Sequence, residues 1–323
     1  IWVATNNNGL YQFDGYYFKQ FSPTSGEDGS FPGDSVYIVY ELKNGTMLAG
    51  TNAGLVSFDK KTGLFSFFLK SDVNAGSKDR TIVHNILEDR DENVWLGTNS
   101  GLMKYDITSR KANNFNLSKD RTIKEKVNCL TETSNGYIWV GTNNGAYRIN
   151  PDGKTVSFHK TETDNNESQT PNSVVSIFND NKGRIWAGVK DNGLWLFSEE
   201  NEVFEKVNLG AKGDFEGDFL NIHEISSDNI GNLILGLNGE LCFYNQRIGQ
   251  LSVNCHRITD SVLQGNFRVN SVFKDKQGGF WIGLENAGLH YFHPGQYQFT
   301  HIKEPLKQAG LDSFFVNDIL VQE

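Results

Sequence analysis

The chain has 323 residues, a formal charge of −9 and a pI near 5.3, with 33 Gly, 6 Pro and aromatics at 12%. An acidic chain with no Lys/Arg-rich run repels phosphate backbones, which argues against nucleic acid as a partner. The longest apolar stretches, such as Val174-Val175 with Ile177-Phe178, are strand-length and far short of the ~20 residues of a membrane helix, so direct membrane insertion by this segment is not expected.

In chain order, Ile1–Thr5 reads as the second strand of a repeat unit already under way, so the sequence is expected to be a piece of a larger multidomain protein. Trp2 is the first of seven anchors. The others are Leu48, Trp95, Trp139, Trp186, Ile234 and Trp281, at steps of 44 to 48 residues. The clearest copies are Val94-Trp95-Leu96-Gly97-Thr98 leading to Gly101-Leu102, and Ile138-Trp139-Val140-Gly141-Thr142 leading to Gly145. An apolar segment ending in a turn precedes each anchor, as in Val174–Ile177 followed by Asp180-Asn181-Lys182-Gly183. A Gly-Leu segment follows it, as in Leu102-Met103-Lys104-Tyr105, and then alternating aromatics, as in Phe65 and Phe67, Val156 and Phe158, or Tyr297 and Phe299. Period-two alternation bounded by Gly, Asn and Asp marks strands and hairpins, and no stretch sustains a helical stripe.

Four short strands per ~45 residues make one propeller blade, a sheet that must stack on neighbours to bury both faces. The sequence therefore predicts an all-β fold, a seven-bladed β-propeller of four-stranded antiparallel blades over residues 1–323. The chain ends on Val316–Val321, which resembles the first strand Val83–Leu87, so the closing blade is expected to combine both chain ends. The other reading takes Val316 onward into a second propeller beyond Glu323.

Cys129, Cys242 and Cys255 are an odd, sparse set with no CxxC spacing, neither a disulfide framework nor a metal site. They read first as small buried apolar residues. Cys242 and Cys255 fall on what would be neighbouring strands of one blade, which leaves a single bridge open.

The units resemble the propeller repeats of bacterial two-component regulators, which form the sensor ectodomains of hybrid histidine kinases typical of gut Bacteroidetes. Asn172-Ser173-Val174, Ile177, Asp180, Gly183, Trp186 and Gly188 carry the phrase, as do Asp89, Trp95, Gly97, Thr98, Gly101, Leu102, Tyr105 and Asp106. Gly9-Leu10-Tyr11-Gln12-Phe13-Asp14-Gly15-Tyr16 looks like the opening blade of the family's N-terminal propeller. The resemblance implies a periplasmic ectodomain, often with two propellers and an immunoglobulin-like domain, followed by a membrane helix, a kinase and a DNA-binding regulator. It implies sensing of glycan fragments and control of polysaccharide-utilisation genes. The chain holds no phosphoacceptor-histidine region, nucleotide-binding motif or helix-turn-helix, so this segment is expected to be no enzyme and to need no cofactor.

A Trp at fixed phase in a repeat reads as a packing anchor rather than a sugar platform. The Asp-x-x-Gly turn ahead of it is similar to a sialidase Asp-box, but its spacing is off by one and Arg184-Ile185 stand where a Thr is required before Trp186. It reads as a structural hairpin. The loops between second and third strands hold Asn7, Asn144, Lys190, Asp191 and Glu285, with Asn6, Asn8, Asn52, Asn99, Asn143, Asn192, Asn238 and Asn286. Turn chemistry accounts for most of them. They are expected on the same rim as the long interblade loops 22–34, 160–172 and 208–219, where recognition usually lives.

A second ring is expected one position after each leading Val or Ile: Asn317, Tyr37, His84, Asn128, Val175, His223 and Asn270. Six of these seven are polar or amphipathic and suit hydrogen bonding to sugar hydroxyls; the plain alternative is a water-filled channel.

Three functions compete on this fold, which cannot decide among them. The first is a sensor ectodomain that binds an oligosaccharide, contacts a second propeller or other ectodomain segment of the same chain, and can homodimerise. The second is a lyase-like enzyme using His84, or His223 with Glu224, as acid and base. The third is a protein-interaction scaffold, which Phe31, Phe215, Phe219, Phe314 and Phe315 in the interblade loops would also serve. His290 and His293 do not make a metal pair, because strand alternation sends them to opposite faces.

Overall fold

The computed structural model describes residues 1–22, 31–71, 80–107, 109–118, 125–160, 172–209, 221–228, 231–238, 240–246, 250–251, 255–258, 267–293, 298–302 and 315–320. All regular structure in them is β, arranged as seven antiparallel sheets. The fold is a seven-bladed β-propeller. Two compact units are distinguished, Ile1–Val127 with Asp275–Glu323, and Asn128–Lys274.

In the first unit, the closing blade is built from both chain ends. Strand Phe315–Leu320 pairs antiparallel with Trp2–Asn6, opposing Leu320 to Trp2 and Ile319 to Val3. This settles the role of Val316 onward as the first strand of that blade. Leu10–Phe13 and Phe18–Phe21 complete it. The next blades begin at Val36–Glu41 and Val83–Glu88. In the second unit, Val174–Asn179, Ile185–Val189, Gly193–Ser198 and Val203–Lys206 form one blade. The blade of Glu224–Ser227 differs from expectation at its outer position. Its third strand, Glu240–Asn245, pairs with two short strands, Gln250–Leu251 and His256–Arg257, in place of one. A disulfide joins Cys242 in that third strand to Cys255, 13 residues on, so these two cysteines are a staple rather than separate apolar fillers. Cys129 is free and buried, as the apolar reading required.

The repeated phrase has a physical explanation residue by residue. Four of the five anchor Trp indoles are core, while Trp281 is half-buried: Trp2, Trp95, Trp139 and Trp186 are almost wholly buried, and Trp95 meets Phe115 edge-on with ring centroids 5.0 Å apart. The Asp six residues earlier reaches up to the indole. Trp95 Nε1 donates to Asp89 Oδ2 at 2.8 Å, and Trp186 Nε1 to Asp180 Oδ2 at 3.0 Å. The other oxygen of each Asp accepts backbone amides of its own turn, from Asn93 at 2.8 Å and from Arg184 at 3.0 Å. The hairpin reading of the Asp-x-x-Gly turn therefore holds. The Thr hydroxyls at Thr5, Thr51, Thr98 and Thr142 donate to the carbonyl of the Gly that opens the third strand, at 2.6, 3.0, 2.7 and 3.0 Å.

The Gly two positions after the anchor leaves room for the next blade. A Cβ on Gly97 would lie 2.7 Å from Val127 Cγ1, and one on Gly50 would lie 2.6 Å from the Val83 carbonyl oxygen. In the second unit, Gly141, Gly188 and Gly236 meet Val174 Cγ1, Ile222 O and Val269 Cγ1 at 2.8, 2.9 and 2.6 Å.

Two consequences can be measured by thermal unfolding. Gly97→Ala is expected to lose about 1–3 kcal/mol through overpacking; an unchanged Tm would mean that the blades are not held at this spacing. Cys255→Ser is expected to lose about 2–4 kcal/mol, the usual worth of such a crosslink, and reducing agent should lower the Tm of the wild type but not of the variant.

Candidate ligand-binding site

The expected ring positions share one environment. In each case the leading Val or Ile is buried, from Val316, Val36, Val83 and Val127 to Val174, Ile222 and Val269, and the residue after it is half-buried. At four of these positions a β-bulge accompanies it. Pairing of first and second strands skips Tyr37, His84, Val175 and Asn317, since the register passes from Val36 to Ile38, Val83 to Asn85, Val174 to Ser176 and Val316 to Asp318. A bulged residue leaves the ladder and its side chain is re-aimed.

The ring residues divide into two kinds. Asn317 and Asn128 use their amides on the neighbouring blade: Asn317 Nδ2 donates to Val36 O at 2.6 Å, and Asn128 Nδ2 to Val174 O at 3.0 Å. Asn128 Nδ2 also lies 3.0 Å from Asn143 Oδ1, in the loop between second and third strands. Tyr37, His84 and His223 make no such cross-blade bond to a leading carbonyl. In the first unit, the Tyr37 and His84 rings meet edge-on with centroids 4.7 Å apart. In the second, His223 Nε2 lies 2.8 Å from Asn238 Oδ1. Asn270 is half-buried at the corresponding position.

Burial governs the electrostatics. It pushes the His84 imidazole down to about 3, with the Lys126 ammonium adding to the effect. Burial also lowers His223, which the Asn238 bond opposes, Arg268 reinforces and Asp191 opposes, with Lys190 a smaller lowering influence. Tyr37 is raised by burial and by Asp34, against a hydrogen bond from Ser35. Both imidazoles are thus neutral near pH 7, and Tyr37 keeps its proton.

The rim residues are mostly structural. Asn7 has φ 64° and accepts from Ser35 Oγ at 3.0 Å. Asn99 Oδ1 accepts the Ile82 amide at 2.9 Å. Asn144 is exposed, its amide 3.2 Å from Thr142 Oγ1. The exposed Lys190 gives its amide to Ser173 O, and Asp191, with φ 55°, gives its amide to Asn221 Oδ1 at 2.8 Å. Glu285 is half-buried in the turn after Phe280–Leu284. Phe31 is core, packed edge-on to Phe65 at 5.0 Å, and so offers no partner surface. Phe215, Phe219 and Phe314, most of the loops 22–34, 160–172 and 208–219, and the side chain of Phe315 lie outside the described residues. Buried His290 bonds Ala287 O while His293 bonds Gln277 O, so they point apart as expected.

Sequence reasoning did not single out a cavity of about 760 Å³ on the turn side of the first unit, lined by Lys43, Glu88, Glu92, Lys104, Asp106 and Phe115 among others. Its charged lining is largely engaged: Lys43 Nζ donates to Asp89 O and the Lys43 amide to Glu88 Oε2, both at 2.6 Å.

The family model for the two-component regulator propeller matches residues 77–100 and 123–144. Over these two segments the chain is similar to two-component regulator propeller repeats. Histidine kinase P4 of Formosa agariphila is 26% identical over 315 residues, covering 79% of this chain and 22% of its own length. The extracellular domain of the hybrid two component system BT4673 from B. thetaiotaomicron shares the fold with TM-score 0.71 and 18% identity, over 97% of this chain and 38% of that one. A streptogramin B lyase also shares it, with TM-score 0.59 and 15% identity, over 86% and 87% of the two chains. The chain therefore spans about a fifth of the length of that curated relative. Among its described residues, no helix is long and apolar enough to cross a membrane.

One neighbour of the ring titrates in a useful range. Burial pushes Asp318 from an ordinary 3.8 up to about 6, against amide hydrogen bonds from Val39 and Ile319. The folded chain then holds a proton that the unfolded chain has lost. This contribution is fully present below about pH 4 and is lost as pH rises through about 6. Asp318→Asn is expected to flatten the Tm profile across that window and to raise Tm relative to wild type at pH 7. Parallel profiles for the two proteins would refute the assignment.

Proposed function

We propose that the chain is a ligand-sensing periplasmic propeller of a membrane-bound hybrid two-component sensor histidine kinase, and that it recognises a glycan-derived oligosaccharide to control polysaccharide-utilisation genes. The observation that carries the ligand reading is the bulge. It withdraws Tyr37 and His84 from the strand ladder and leaves them half-buried, aromatic and uncharged, beside no cross-blade carbonyl that would occupy them. Uncharged rings with polar edges suit sugars, which present apolar ring faces and hydroxyls together. His223, Asn270, Asn7, Asn144, Lys190, Asp191 and Glu285 are the candidate polar contacts. Asn128 and Asn317 shape the site through the carbonyls they hold.

Two further observations support the location and the larger assembly. The Cys242–Cys255 disulfide fits an oxidising compartment outside the cytoplasm. The much greater length of Histidine kinase P4 fits further ectodomain, membrane and kinase segments as partners in the same polypeptide. Homodimerisation of the ectodomain is part of the same reading.

The lyase reading is weaker on the chemistry. Among the described residues no carboxylate hydrogen-bonds either His84 or His223, so neither imidazole is set up as half of an acid–base pair.

The test is a thermal-shift and calorimetric screen of the complete ectodomain against an oligosaccharide panel, with product analysis. A ligand at 100 times its Kd is expected to stabilise by about 2.7 kcal/mol. His84→Ala and Tyr37→Ala should each weaken binding by roughly tenfold, the loss of one good contact. Recovery of a cleaved sugar would replace the sensor reading with the enzyme one, and no binding by any sugar would leave a scaffold.

A further inference from the structure

Five large hydrophobic side chains stand exposed among the described residues. The three in the first unit, Tyr16, Tyr17 and Leu64, are 79%, 67% and 51% exposed, and all lie in turns between a third and a fourth strand. Their two blades adjoin: Trp2 meets Phe58 with ring centroids 5.1 Å apart, and Phe21 meets Phe65 at 5.2 Å. Antiparallel strands alternate in direction, so these turns stand on the side where each first strand ends and each second strand begins. In the closing blade those points are Leu320 and Trp2, which pair with each other. The main chain passes close to the Tyr16–Tyr17 turn there, since Ile1 and Phe13 exchange both backbone hydrogen bonds, at 2.8 and 2.7 Å.

The turn itself does not require these tyrosines. Asp14 Oδ1 accepts the Tyr16 and Tyr17 amides at 2.8 and 2.7 Å. Asp152 Oδ1 makes the same cap with the Lys154 and Thr155 amides, at 2.8 and 2.9 Å, and Asp59 Oδ1 makes it with those of Lys61 and Thr62. Two turns of one design thus carry Lys-Thr, whereas the closing blade carries two phenols on a capped tip. Exposed aromatics on a fixed backbone lose little entropy on contact, which is the character of an interface anchor. Resting on the reading above that further ectodomain belongs to the same polypeptide, we infer that Tyr16, Tyr17 and Leu64 seat the ectodomain segment joined to the closing blade. Histidine kinase P4, of which this chain covers 22%, has ample length for such a segment. Two tyrosines and a leucine offer roughly 400 Å², about half of what each partner buries in a stable complex of separate chains. That is too little to hold a second copy. A segment tethered beside the patch is presented at an effective concentration on the order of millimolar, where a contact of this size suffices.

The test is nitration of tyrosines in the complete ectodomain, with Tyr16 and Tyr17 mapped by mass spectrometry. Both should react roughly tenfold more slowly than in the urea-unfolded protein, as a patch that is covered most of the time requires, and equally at high and low protein concentration. Leu64→Ser should restore fast nitration of both. The double variant Tyr16→Lys/Tyr17→Thr, which adopts the turn sequence of residues 154–155, should keep the propeller's Tm and extend the ectodomain in small-angle scattering. Fast nitration of both tyrosines in the folded wild type, or wild-type scattering from the double variant, would overturn the inference. Protection lost on dilution would overturn it in favour of a second copy, and protection seen only with an oligosaccharide would overturn it in favour of a sugar platform. A full-length sequence that encodes no further ectodomain would instead fail the reading on which this inference rests, before any labelling.

Discussion

The absent side chain in Trp-x-Gly sets the spacing on which the rest of this structure depends. At Gly50, Gly97, Gly141, Gly188 and Gly236, a single methyl would fall 2.6–2.9 Å from the leading Val or Ile of the following blade. No real Cβ tolerates that distance, so each sheet comes as close as backbone and branched side chain allow. The Trp two residues earlier then fills the wider space toward the outer strand, as Trp139 does against Phe197 and Phe204 at 4.6 and 5.6 Å. Glycine and tryptophan are thus complementary parts of one wedge, thin at one end and thick at the other, and a stack of wedges curves.

The polar residues of the phrase secure the wedge at its turns. Asp89 and Asp180 are almost fully buried, yet every oxygen has partners: turn amides on one side and an indole N–H on the other. A buried carboxylate with that many donors is stabilised rather than penalised. Asp180 illustrates the balance. Burial would raise it, but the Trp186 indole, the Arg184 and Lys182 amides and the Arg184 guanidinium together hold it below the ordinary carboxylate range.

Much of this was legible before any coordinates. The spacing of seven anchors fixed the number of blades, and the match of Val316–Val321 to Val83–Leu87 foretold the closing strand. The ring positions were legible too, because they share one phase. What each ring residue does was not. Asn128 and Asn317 look like free hydrogen-bonding groups in the sequence, but a carbonyl 3.0 or 2.6 Å away on another blade already takes their amides. The disulfide likewise depends on an outer strand broken into two pieces, and no local pattern announces that break.

The bulge at Tyr37, His84, Val175 and Asn317 has a bearing on how such a protein can change. A residue that has left the ladder contributes little to strand pairing, and the flanking Val and the residue beyond it carry the hydrogen bonds and the packing. Its identity is then weakly tied to folding. A phenol, an imidazole, an isopropyl group and a carboxamide occupy equivalent places in one chain, which is direct evidence of that freedom. The scaffold in effect offers a row of interchangeable sockets. Relatives could exchange the groups in them one at a time and acquire new chemical preferences without renegotiating the architecture that holds the sockets.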